Sequence, residues 1–132
     1  MATLKGKSVL ITGGGSGIGR GVAEHFVQRG AKVVITGRRE EKLIETCEEI
    51  GGDIAYFAGD VTDDGDRKSM ISKALAHGGK LDALISNAGN MYRCDVADFE
   101  EEKLIEVFHA NVIGGMMLVK EAFANLKETK GC

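Results

Sequence analysis

The sequence predicts an α/β fold in which one parallel sheet, with strand order 3-2-1-4, carries helices on both faces. Short apolar, β-branched runs alternate four times with segments of helical periodicity, and the connections between them are short. Because crossovers between parallel strands are right-handed, few strand orders remain. A glycine-rich stretch, TGGGSGIG at residues 12–19, follows the first strand at the edge of the sheet where such folds bind ligands.

The first half of the chain contains two strand–helix units. Residues 8–12, SVLIT, are apolar and β-branched, which predicts a buried strand. The first helix is predicted to begin at Ser16 and to end at Gly30, because apolar residues recur at every fourth position between them. Residues 31–37 predict a second buried strand, and residues 40–50 predict a helix with one apolar face.

The second half repeats this alternation. Residues 54–61 predict the third strand, residues 63–77 a helix, and residues 81–89 the fourth strand. A longer helix is predicted from about residue 99 to about residue 127, with three glutamates in its first turn, where the helix dipole favours acids. We see no linker or repeat, so the sequence predicts a single domain over residues 1–132.

The composition argues against several classes of function. A chain of 132 residues with 43% hydrophobic and 28% charged residues is typical of one globular domain. The net charge of −3 predicts no nucleic-acid surface, and no apolar run is long enough to span a bilayer. The histidines and cysteines show no metal-ligand spacing, so we expect no metal site. Three cysteines and no apolar signal segment lead us to expect free thiols and a cytoplasmic location.

The glycine-rich stretch has the features of a phosphate-binding loop. At a strand–loop–helix junction the backbone amides and the helix dipole attract phosphate, and glycines let the backbone approach it. Neither G-x-G-x-x-G nor the Lys-Ser/Thr of a P-loop is present. The spacing T-G-x-x-x-G-x-G resembles the cofactor loop of the short-chain dehydrogenase/reductase family, whose Rossmann-like domains bind NAD(P). This resemblance implies cofactor contacts from Thr12, Gly13, Gly15, Ser16, Gly17, Ile18 and Gly19.

Three further stretches resemble the same family, in the same order along the chain. GDV ends the third predicted strand, and the resemblance implies that the Asp60 carboxylate contacts the adenine amino group and that Val61 belongs to the cofactor site. Alternatively, Asp60 caps the following helix. Asn111 matches the asparagine that supports the family's proton relay. SNAG resembles the family's Asn-Asn-Ala-Gly, with Ser86 in place of the first asparagine. This resemblance implies that the cofactor site also includes Asn87, Ala88 and Gly89.

The end of the second strand indicates which dinucleotide is bound. NAD sites usually place an acid here to bind the ribose 2′-hydroxyl. In this chain Gly37 lies near that position, and Arg38 and Arg39 follow it. A guanidinium binds a 2′-phosphate through charge-assisted hydrogen bonds, whereas a carboxylate would repel it. The sequence therefore favours NADP(H) over NAD(H), unless the arginines pair instead with Glu40 or Glu41.

The resemblance also implies a catalytic Ser and a Tyr-x-x-x-Lys pair, which this sequence does not contain. The fourth residue after Tyr56 is Asp60, and the fourth after Tyr92 is Val96. The last residues fall about where the family begins a fifth strand. We therefore expect the cofactor-binding part of an oxidoreductase that is inactive alone; the alternatives are a non-catalytic nucleotide-binding module and an assembly subunit. We also expect the outer edge of the fourth strand to be apolar and unpaired, and therefore expect self-association through this edge or through the long helix.

Overall fold

The computed structural model describes residues 3–132 and contains one four-stranded parallel sheet. The strand order is β3-β2-β1-β4, which confirms the predicted 3-2-1-4 order. In this register Ile11 of the central strand lies between Ile35 and Ile85. The strands are β1 Ser8–Thr12, β2 Lys32–Gly37, β3 Ile54–Ala58 and β4 Ala83–Ile85.

The helices lie where the apolar periodicity predicts them. Three of them end at or near glycines, as the left-handed backbone of Gly79 (φ 77°) after the third helix illustrates. The first turn of that helix is capped by the Asp63 carboxylate, which accepts a hydrogen bond from the amide of Asp66. The helices are α1 Gly17–Gln28, α2 Glu40–Ile50, α3 Asp64–Gly78, α4 Glu101–Phe108 and α5 Gly114–Thr129.

Two hydrophobic cores lie on the two faces of the sheet. On one face α1 packs on β1 and β2, and α2 packs on β2 and β3. The core residues there include Val9, Ile11, Ala23, Val33, Ile35 and Leu43. On the other face α3 packs on β1 and β2, and α5 packs against α3 and β4. The core residues there include Leu10, Val34, Met70, Ala74, Leu118 and Ala122. The central strands are therefore buried on both sides, which explains their continuous apolar sequences.

Two predicted elements differ from the observed ones. The predicted fourth strand, 81–89, forms only three residues of ladder in β4, because the chain after Ile85 turns towards the end of β1. The predicted long helix is observed as α4 and α5, which are joined without a break by a π-helical segment, His109–Ile113. A 3₁₀ turn, Val96–Asp98, precedes α4. Within residues 3–132, no helix is long and apolar enough to cross a membrane.

The outer edge of β4 is partly paired. The Cys132 amide donates to the carbonyl of Asp82 at 3.0 Å, and the Cys132 carbonyl accepts from the amide of Leu84 at 2.8 Å. This is the bonding pattern of a parallel strand beside β4. The expectation that this edge is unpaired is therefore wrong at the Asp82–Leu84 position.

Candidate cofactor site

A cleft of about 570 Å³ opens at the carboxyl ends of β1, β2 and β3. Its walls are the glycine-rich loop, the ends of β2 and β3, the segment after β4, and the region where α4 meets the π-helical segment. Nine of the fourteen predicted cofactor residues line it: Gly13, Gly15, Ser16, Arg38, Arg39, Asp60, Val61, Ala88 and Gly89. The fold thus brings together residues that are far apart in the sequence.

Two other predicted residues, Thr12 and Asn87, do not line the cleft but form hydrogen bonds between its walls. The Thr12 hydroxyl accepts hydrogen bonds from the amides of Asn87 and Ala88, at 3.0 and 2.9 Å. In return, the Asn87 side-chain amide donates to the carbonyls of Thr12 and Gly13, at 3.0 and 3.3 Å. These bonds join the end of β1 to the segment after β4, so the two walls of the cleft are fixed relative to each other.

The remaining predicted loop residues, Gly17, Ile18 and Gly19, lie at the start of α1. A Cβ on Gly19 would collide with the carbonyl oxygen of Gly13 and would lie 2.6 Å from the Asn87 side-chain nitrogen. Gly17 has φ +54°, and apart from its two neighbouring residues and the backbone of α1, no atom of residues 3–132 lies within 4 Å of the position of a Cβ there. Ile18 is 79% exposed. The first amides of a helix lack intrahelical partners, so this end of α1 offers free donors beside open space.

The positive charge of the cleft comes from Arg38 and Arg39 after β2, and from Lys42 in α2. Within the described part of the chain neither arginine forms a salt bridge, so the alternative pairing with Glu40 or Glu41 is not formed. Glu40 instead lies 3.4 Å from the Tyr56 hydroxyl. Both arginines are exposed at the cleft and are therefore available to an anionic ligand.

Asp60 faces the cleft in a tight turn after β3. Its carboxylate accepts hydrogen bonds from the amide and the hydroxyl of Thr62, at 2.9 and 2.8 Å. Partial burial alone would raise the pKa of this carboxyl, but the Thr62 bonds and the charges of Arg38 and His109 hold the pKa below its usual range. The alternative role as helix cap is wrong, because Asp63 caps α3.

Several residues that line the cleft were not predicted from the sequence, and Thr36 is the most informative. Its hydroxyl is fully buried in the cleft wall and has no hydrogen-bond partner among residues 3–132. A buried hydroxyl without a partner is destabilising, so this position fits a ligand that carries hydroxyl or phosphate groups. The sequence signal that could have indicated Thr36 is that it is the single polar residue in the apolar run VVITG. The other additions include Thr62, Asn90, Glu106, His109 and Ala110.

Asn111 lies in the π-helical segment and does not line the cleft. Its side-chain amide forms a reciprocal pair with the backbone of Asn90: it accepts from the Asn90 amide at 2.7 Å and donates to the Asn90 carbonyl at 2.8 Å. Asn111 is exposed, so its polar side chain carries no burial penalty in this helix. The same bonds hold the segment after β4 against the helix. Within residues 3–132 no group of three or more His, Cys, Asp or Glu could hold a metal ion.

Comparison with known proteins gives a family that agrees with this geometry. A family model described as short chain dehydrogenase matches residues 7–132. The chain belongs to the short-chain dehydrogenase family. It is 41% identical over 133 residues to a cis-2,3-dihydrobiphenyl-2,3-diol dehydrogenase of Paraburkholderia xenovorans, with 97% of this chain and 48% of that protein covered. It is 40% identical to the short chain aldehyde dehydrogenase 1 of Euphorbia lathyris, with 98% of this chain and 46% of that protein covered.

Solved structures of short-chain dehydrogenases have the same fold. The 3-ketoacyl-(acyl-carrier-protein) reductase of Brucella melitensis, complexed with NADH, superposes with a TM-score of 0.91 at 34% identity and covers 96% of this chain. The apo glucose dehydrogenase of Caenorhabditis elegans gives 0.87 at 34% identity and covers 98%. This chain covers 52% and 54% of those two chains. It therefore spans about half the length of the relatives that it matches.

Proposed function

We propose that this chain is the dinucleotide-binding portion of an NAD(P)(H)-dependent oxidoreductase of the short-chain dehydrogenase family, with a preference for NADP(H). The observation that carries the preference is the pair of exposed arginines, Arg38 and Arg39, at the cleft beside Gly37. Such a site attracts a 2′-phosphate, whereas a carboxylate at the same place would repel it. We also propose a cytoplasmic location, which the free thiols of the three cysteines support.

Each part of the cleft has a role in this proposal. The amides at the start of α1 would bind the pyrophosphate, because helix N-termini attract anions. The Asp60 carboxylate would accept a hydrogen bond from the adenine amino group, since its lowered pKa keeps it ionised. The Thr36 hydroxyl would find the partner that it lacks among the described residues. The bound nicotinamide would supply hydride chemistry, and these residues would hold and orient the dinucleotide.

The test is a comparison of NADPH and NADH binding in matched variants. Arg38→Asp should weaken NADPH binding about tenfold or more relative to NADH, because a charge-assisted hydrogen bond contributes roughly 1.5–3 kcal/mol. Lys32→Asp is the matched control: it makes the same change of charge at the exposed amino end of the same strand. Equal affinities for both dinucleotides, before and after the Arg38 change, would contradict the preference.

A second proposal is that this chain alone does not turn over substrate. Loss of a general acid typically lowers rates by about a hundredfold to ten-thousandfold, and the sequence contains no Tyr-x-x-x-Lys pair. The assay follows NADPH absorbance with a panel of ketones and aldehydes. Steady turnover that disappears when Gly19 is replaced by a bulky residue would show that a catalytic group had been overlooked. Sequencing the reading frame beyond Cys132 separates a portion of a longer enzyme from a separate binding module.

Self-association is also proposed, and the long helix is the surface with the stronger support. Along α4, the π-helical segment and α5 runs a stripe of large apolar residues at three- and four-residue spacing, each between 44% and 69% exposed: Ile105, Phe108, Val112, Met116, Val119 and Phe123. Contiguous exposed apolar surface of this kind typically marks an interface. Sedimentation should show a dimer or larger species, and Phe108→Glu with Phe123→Glu should dissociate it. A monomer at every concentration of the unmodified chain would contradict the proposal.

A further inference from the structure

The most unusual charged residue outside the cleft is Arg67, which lies on the inner face of α3. Its side chain is only 8% exposed. One guanidinium nitrogen, Nη1, donates a hydrogen bond of 2.8 Å to the carbonyl oxygen of Val61. The other, Nη2, lies 3.2 Å from the carboxylate of Asp64, which is itself 63% exposed. The buried guanidinium therefore directs its shortest bond to the backbone of the segment that follows β3.

Stability of the core does not account for an arginine at this position. Residues three, four and seven positions later in α3 are Met70, Ile71 and Ala74, and all three are buried in the apolar core. Burying a charge carries a desolvation cost, and replacing a buried charged group with an apolar residue of similar volume is often neutral or stabilising. An apolar residue at position 67 would continue the same face without that cost. The arginine is better explained by what it binds.

The neighbouring residue, Asp66, holds the other end of the same segment. Its carboxylate accepts a hydrogen bond of 2.8 Å from the amide of Asp60. Two consecutive residues of α3 thus bind the first amide and the last carbonyl of the dipeptide Asp60–Val61. On its far side the Val61 carbonyl faces Gly114, where a Cβ would lie 2.9 Å from the oxygen. The dipeptide is therefore held between two helices.

We propose that Arg67 is a positioning residue for adenine recognition, which fixes the Asp60–Val61 dipeptide at the cleft through the Val61 carbonyl. This inference rests on the proposed dinucleotide function, in which Asp60 accepts from the adenine amino group. Without the guanidinium, the buried Val61 carbonyl loses its charged donor and the dipeptide can shift. A hydrogen bond to adenine depends on position within a few tenths of an ångström, so the shift lowers affinity for the adenosine part of the ligand.

The experiment compares Arg67→Met with Lys68→Met, titrating NADPH and reduced nicotinamide mononucleotide, which lacks adenosine. Lys68 is the next residue of the helix and binds the same Asp64 carboxylate at 2.7 Å, but its side chain is exposed. Arg67→Met should bind NADPH about tenfold or more weakly, the loss expected for one charge-assisted hydrogen bond. Its affinity for the mononucleotide should not change, and Lys68→Met should match the wild type for both ligands.

Two further measurements separate positioning from a loss of folding. The urea midpoint of Arg67→Met should fall moderately, because the buried Val61 carbonyl loses its donor, but the unfolding transition should remain cooperative and the variant should be fully folded under the titration conditions. Hydrogen exchange at the bonded amides of Asp60 and Thr62 should be faster in Arg67→Met and remain unchanged in Lys68→Met. Arg67→Lys serves as the second variant: it keeps the charge but not the guanidinium fork, and should give NADPH affinity between those of Met and Arg.

The outcomes distinguish this inference from the function on which it rests. If the wild type binds NADPH and Arg67→Met binds it equally well, the inference is overturned while the proposed function stands. Equal weakening of NADPH and mononucleotide binding also overturns it, because the effect would not be specific to adenosine. A wild-type chain that binds neither NADPH nor NADH overturns the proposed function, and the inference with it.

Discussion

Gly19 and Gly21 lie two residues apart in α1, yet alanine should have opposite effects at the two positions. At Gly21, apart from the two neighbouring residues and the backbone of α1 itself, no atom of the described chain lies within 4 Å of the added Cβ. At Gly19 the Cβ would collide with the Gly13 carbonyl and would lie 2.6 Å from the Asn87 side-chain nitrogen. That nitrogen donates to the carbonyls of Thr12 and Gly13. The added Cβ would therefore disturb the hydrogen bonds that join the glycine-rich loop to the segment after β4.

The magnitudes follow from these contacts. Alanine is favoured over glycine in a helix interior by roughly 0.5–1 kcal/mol, and Gly21→Ala should gain most of this because its surroundings are open. At Gly19 overpacking against backbone costs about 1–3 kcal/mol, and each Asn87 hydrogen bond that is lost costs about 0.5–1.5 kcal/mol more. The two variants should differ by about 2–4 kcal/mol in the free energy of unfolding, or roughly 6–20 °C in Tm for a domain of this size.

The assay is urea denaturation of the wild type and the two variants at one pH, together with an NADPH titration. Gly21→Ala should be more stable than the wild type with its affinity for NADPH unchanged. Gly19→Ala should be less stable, and should bind NADPH more weakly because the amides at the start of α1 move. If Gly19→Ala is as stable as Gly21→Ala, the close approach of α1 to the Gly13 carbonyl is not a feature of the folded chain, and the explanation given for this glycine fails.

Two other predictions concern a buried hydroxyl and a buried carboxylate. Thr36→Val should raise the stability of the unliganded chain by up to about 1 kcal/mol, because it removes a buried polar atom without a partner among the described residues, and should weaken NADPH binding; unchanged affinity would show that the hydroxyl does not meet the ligand. For Asp82, burial alone would raise the pKa, but the amide of Ser8 and the ammonium groups of Lys80 and Lys7 hold the pKa below its usual range. The Asp82 carboxylate therefore binds a proton more tightly in the unfolded chain than in the folded chain. Ionised Asp82 stabilises the fold above its ordinary pKa of about 4, and this stabilisation is lost as the pH falls through the lower pKa that Asp82 has in the folded chain. Asp82→Asn should therefore be less stable than the wild type at neutral pH, and the difference in urea midpoint should shrink below about pH 4; a constant difference would contradict this.

Much of the fold could be predicted because its signals are local. The strands β1 and β2 are apolar on both faces, and the three helices α1 to α3 have regular apolar spacing and end near glycines. For four consecutive strands joined by helices, right-handed crossovers favour the strand order that is observed. The cleft then follows from topology, since parallel strands end at one edge and the glycine-rich loop lies there.

Other features depend on partners that are distant in the sequence. The segment after Ile85 was predicted as strand, but its amides bond to the Thr12 hydroxyl instead of continuing the ladder. Arg67 is charged, and a charged residue in a helix is ordinarily expected at the surface. Its burial follows from the position of the Val61 carbonyl, to which it donates its shortest hydrogen bond. The π-helical segment likewise has no signal in the apolar periodicity of residues 99–127.

The walls of the cleft are held together chiefly by bonds from side chains to backbone, rather than by helix or sheet hydrogen bonds. Thr12 and Asn87 join β1 to the segment after β4, and Asn111 joins that segment to the long helix through Asn90. Arg67 joins α3 to the segment that follows β3. Each of these bonds connects two elements that already exist without it, so its loss should alter the relative positions of the walls more than the presence of any helix or strand. Variants at these residues should therefore affect ligand affinity more strongly than helix content, which is the reverse of what is expected for substitutions in the two apolar cores.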